Sequence, residues 1–93
     1  MELTDFTKAH VKRLFAPEQR AEVERLLSEQ CGENLPLMGG KSPNDFERIH
    51  CAALKLSDGN MARLYAAVKV AKNDWRALLV RAGFGGTDVH QRW

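Results

Sequence analysis

Between Ser57 and Phe84 the apolar positions fall into the clearest rhythm in the chain. Met61, Leu64, Tyr65, Val68 and Ala71 recur at i, i+3, i+4 and i+7, the spacing of one buried helix stripe. Trp75, Leu78 and Leu79 form a second stripe after Asn73, which is read as an N-cap. Asp58-Gly59 before the first stripe is a turn signal, with Asn60 placed to cap the helix that follows. Gly83 suits the end of the second, and Phe84 beyond it makes the apolar contact that accompanies such an end. The pattern predicts helices over about 61–72 and 74–82, meeting at a tight bend.

Upstream the same reading gives shorter helices. Pro17 opens one at the position where its missing N–H does no harm, and Val23, Leu26, Leu27 and Cys31 form its inner stripe until Gly32. Ser42-Pro43 opens another, carrying Phe46, Ile49, Ala53, Leu54 and Leu56. The short Ser57–Asn60 turn makes it an antiparallel partner of the helix after it, an αα-hairpin. Residues 5–15 read as a further helix capped by Thr4 or Asp5, or as an extended arm. The expected fold is all-α: a compact bundle of four to five short helices, with an αα-hairpin and a helix-bend-helix at the C-terminal end. Residues 1–84 are expected to form the domain and 85–93 a flexible tail. The core is expected to hold Val23, Leu26, Leu27, Phe46, Ile49, Ala53, Leu64, Val68, Trp75, Leu78 and Leu79.

Ninety-three residues are enough for one modest core. No apolar run reaches membrane length, and the first residues lack the layout of a signal peptide. The expected location is therefore the cytoplasm, away from membranes, with Cys31 and Cys51 reduced and structural. The net charge of +2 is unevenly spread: residues 21–59 carry four basic and seven acidic side chains, residues 60–93 six basic and two acidic. This modest excess reads as a solvated helix face.

A resemblance rests on Cys31-Gly32, Asn34-Leu35-Pro36, Ala53-Leu54-Lys55-Leu56-Ser57, Gly59, Asp74-Trp75-Arg76, Leu78-Leu79 and Ala82-Gly83-Phe84. With these residues the stretch from about Arg20 to Phe84 resembles a group of short bacterial proteins of unknown function. The resemblance implies a compact helical fold and brings no activity, cofactor or site with it.

The chemical motifs are thin. Gly39-Gly40-Lys41-Ser42 lacks the earlier glycine of a phosphate loop, Leu35 standing there instead, and Pro43 follows directly. It reads as a capped helix N-terminus beside a lysine. His50 and Cys51 are neighbours, about 100° apart on a helix, so they cannot act on one ion or substrate together. A zinc site would need His50 to meet Cys31 or His10 across helices, and no CxxC or HxxxH spacing supports it. No paired carboxylates or triad argue for an enzyme, and no cofactor is expected.

Two non-enzymatic readings follow. The first is an adaptor or regulator acting through protein contacts or self-association, with Leu35, Leu37, Met38 and Trp93 as docking residues. The second is a helix-turn-helix-like nucleic-acid binder, with Lys69, Lys72, Arg76 and Arg81 toward the nucleic acid. The second is weaker: the usual turn glycine is missing, and Asp74 would face phosphate.

Overall fold

The computed structural model describes residues 2–32, 35, 42–86 and 88–93. Among the described residues run four helices, α1 (Asp5–Leu14), α2 (Pro17–Gln30), α3 (Pro43–Ser57) and α4 (Met61–Ala82), followed by a 3-10 turn at Val89–Arg92. There is no strand among the described residues. Residues 5–14 are thus helical, and the bundle is all-α as its patterning predicts.

The caps explain where the helices begin. Thr4 Oγ1 accepts the Thr7 N–H at 3.2 Å, and Asn60 Oδ1 accepts the Arg63 N–H at 3.0 Å. At α3, Ser42 and Asp45 form a reciprocal capping box with Pro43 just inside it. Gly83 ends α4 at φ 78°. There the Phe84 N–H donates to Leu79 O at 2.8 Å and the Gly83 N–H to Val80 O at 3.1 Å. That double closure turns Phe84 back into the core, where it is buried.

The antiparallel α3–α4 hairpin is the main packing unit, and α1 and α2 lie against it. Its turn runs through Asp58 and Gly59, both left-handed, at φ 49° and 76°. Gly59 is required twice over: its φ is positive, and a Cβ there would stand 2.7 Å from Leu14 O at the end of α1. The eleven expected core residues are all buried, joined by Val11, Phe15, Ala52, Leu54, Ala67, Ala71, Ala82 and Phe84. Tyr65 departs from its expected place in the stripe and is 50% exposed. Its neighbour Leu64 fills the core position, which turns Tyr65 toward solvent.

Polar side chains fasten helix ends to other helices. Arg20 donates from Nε to Phe15 O and from Nη2 to Lys12 O, both at 3.1 Å, closing the C-terminus of α1. Lys55 Nζ donates to Ala82 O at 2.8 Å and lies over the Phe84 ring. A cation therefore sits at the C-terminus of α4, where the helix dipole favours it.

The bend expected in the C-terminal third is one residue wide. Asp74 has φ −158° and ψ 99° inside α4, splitting it into two arms. Asp74 Oδ1 accepts the Arg76 N–H at 3.1 Å, so Asp74, not Asn73, caps the second arm.

Candidate interaction surface

Leu35 is buried at 4% exposure, committed to this chain's own core. Leu37 and Met38 lie outside the described residues. Trp93 is half-buried against α1, its ring stacked on His10 at 4.1 Å between centroids, with the Arg13 guanidinium 5.0 Å from its centre. Arg13 Nη2 donates to His10 Nδ1 at 2.9 Å, which requires an unprotonated Nδ1. Burial and the Arg13 charge accordingly lower the His10 pKa.

Other described residues of the segment 85–93, which its composition reads as a flexible tail, also make contacts with the bundle. Arg48 Nη1 donates to Gly85 O and Gly86 O, each at 3.1 Å. His90 is fully buried, and its Nε2 donates to Glu47 Oε1 at 2.8 Å. Phe6 and Phe84 meet the His90 ring edge-on. The segment thus straps α1 to α3. Leu35 completes the core, and Trp93 packs half-buried against its edge.

The thiols and His50 are also spent internally. His50 is 1% exposed, and its Nε2 donates to Cys31 O at 2.9 Å. Removal from water pushes its pKa down to about 4. The same burial pushes both Cys31 and Cys51 up to about 12, so neither is a thiolate at neutral pH. Cys51 Sγ lies 3.9 Å from Thr7 Oγ1. Among the described residues no three His, Cys, Asp or Glu side chains come together as metal ligands.

The second reading named four cations. Lys69 and Lys72 stand at i and i+3 on the first arm of α4, and Arg76 lies on the second arm beyond the bend. Lys72 Nζ donates to Gln30 Oε1 at 2.9 Å, and Arg76 Nε to Asp74 Oδ1 at 3.4 Å. Arg81 lies elsewhere. The single extended residue at Asp74 replaces the three- or four-residue turn of a helix-turn-helix.

Arg81 instead joins a shallow groove in the elbow of α4. Its walls are Leu56 at the end of α3, Arg63, Ala66, Ala67 and Val70 on the first arm, and Arg81 on the second. The cavity volume is about 230 Å³. Drug-sized ligands occupy roughly 300–1,000 Å³, so this space suits a large side chain or two. Its lining is mostly aliphatic and includes the two arginines, Arg63 and Arg81. Among the described residues Arg63 approaches a carboxylate only at 4.0 Å, from the exposed Asp58. Among the described residues no carboxylate pairs with Arg81. The sequence signal was faint: Arg63, Ala66, Val70 and Arg81 fall outside the inner stripe and read as solvated surface until the bend gathers them. No helix among the described residues is long and apolar enough to cross a membrane. No protein-family model, curated protein or solved structure matches the chain, so its own geometry carries the functional reading.

Proposed function

We propose that this chain is a small non-enzymatic adaptor or regulator, cytoplasmic and bacterial, that works by holding a segment of a partner protein. The observation that carries the proposal is the elbow groove, a mostly aliphatic lining of side-chain size that also includes two poorly paired arginines. Apolar side chains entering such a concavity are efficient anchors for protein contacts. The burial of both thiols and of His50 agrees with a packing role for the groups otherwise suited to chemistry.

The experiment is affinity capture from bacterial lysate with the full chain, with and without nuclease, compared with an Ala66→Trp variant. Ala66 is exposed, so a Trp there fills the groove without entering the core. A defined protein captured by the wild type, retained after nuclease and lost with Ala66→Trp supports the reading. Recovery of nucleic acid, with proteins lost on nuclease treatment, would favour the nucleic-acid reading through Lys69, Lys72, Arg76 and Arg81.

A further inference from the structure

We infer that the groove selects an acidic segment: a peptide presenting one aliphatic or aromatic side chain with Asp or Glu close by. The inference rests on the docking reading above and adds the chemistry of the occupant. Charge complementarity carries it. Arg63 and Arg81 come from opposite arms of α4, 18 positions apart in sequence, yet both line one cavity of about 230 Å³. An apolar group seated on Ala66, Ala67, Val70 and Leu56 therefore has an arginine side chain from each arm beside it.

The charges around the two cations leave them available. Among the described residues Arg63 has only the Asp58 carboxylate as an ion-pair partner, at 4.0 Å, and both side chains are mostly in water, 66% and 79% exposed. Across the chain the cationic excess lies in residues 60–93, where six basic residues face two acidic ones. A guanidinium presents a rigid fork that matches a carboxylate in two hydrogen bonds. A basic segment would set like charges against both arginines. A purely apolar one would leave both guanidinium groups without a counter-charge beside a dry contact.

The test is selection of random 12-residue peptides displayed against the immobilised full chain, followed by binding measurements on synthetic copies of the enriched peptides. The expected peptides carry a large apolar residue with Asp or Glu within about one helical turn, the reach of neighbouring positions. For them, Arg63→Glu with Arg81→Glu should weaken binding roughly tenfold, the sum of two exposed ion pairs. Replacing the peptide's carboxylates by lysines should restore binding to the reversed variant. Enrichment of neutral or basic peptides, or of none, overturns the inference. If Ala66→Trp abolishes binding while the charge reversal leaves it unchanged, acidity is refuted and the groove stands. If both variants bind like the wild type, the groove itself is refuted. A wild-type dimer in sedimentation velocity that the charge reversal dissociates would place a second copy in the groove and also overturn the inference.

Discussion

Lowering the pH should destabilise this protein through His50. The ring is 1% exposed and donates through Nε2 to the Cys31 carbonyl at 2.9 Å. Loss of hydration is the main cause of its depressed pKa; the carbonyls of Cys31 and Leu27 favour the protonated ring and oppose it. The result is about 4 in the folded chain against an ordinary 6.5. Between those values the unfolded chain holds a proton on this ring and the folded chain does not. Stability is therefore full above pH 6.5 and falls as pH drops toward 4. One unit is worth about 1.4 kcal/mol, so the loss over the window is about 3 kcal/mol. That is a large share of the roughly 5–15 kcal/mol that holds a domain together. The assay is urea unfolding from pH 7.5 to 4.5 for the wild type and His50→Gln. A glutamine amide can donate to the Cys31 carbonyl without taking up a proton. His10 acts in the same direction, but both proteins share it and every other titratable group, so their difference isolates His50. The wild type should lose about 2–3 kcal/mol more than the variant across this range. Parallel pH profiles, or a His50 proton resonance titrating near 6.5, would refute the reasoning.

Other outcomes follow from packing and backbone geometry. Trp75→Ala removes the largest side chain of the second α4 arm, 7% exposed, and should cost about 3–5 kcal/mol, seen as a large fall in melting temperature. Gly59→Ala combines positive φ with a 2.7 Å approach to Leu14 O and should cost at least about 1 kcal/mol in urea unfolding, more if the end of α1 must shift. Trp93→Ala removes the His10 stack and the Arg13 contact, a loss of about 1–2 kcal/mol. Faster proteolysis of residues 85–93, with α2 to α4 intact by circular dichroism, is the expected readout.

The helices and the inner stripe were legible because their causes are local. Ser42 and Asp45 satisfy each other within one turn, Gly83 and Phe84 close α4 with their own neighbours, and periodic apolar residues need only a common face. The bend was legible to within one residue, since Asn73 and Asp74 are both capable caps and tertiary packing chooses between them. What escaped was long-range polar fastening. Arg20, Lys55, Glu47 and Arg48 look like solvated helix positions, yet each holds a distant backbone or side-chain group. A charged residue's partner depends on which element folds beside it, and periodicity carries no record of that. The strap was missed for the same reason: Gly85-Gly86 and polar text suggest freedom, while the anchors are His90 and Trp93. The groove is a product of the bend, so its residues had no common signature along the chain.

The bend at Asp74 has one more effect. A straight helix of 22 residues would measure about 33 Å. The whole molecule is 33 Å along its longest axis and 23–25 Å across the others. Unbent, α4 would run the full length of the protein. The non-helical backbone at Asp74 also separates two arms, and segments separated in this way can open at different free energies in hydrogen exchange. The elbow is walled by side chains from both arms, so a molecule seated there would clasp the two arms together and slow the exchange of each.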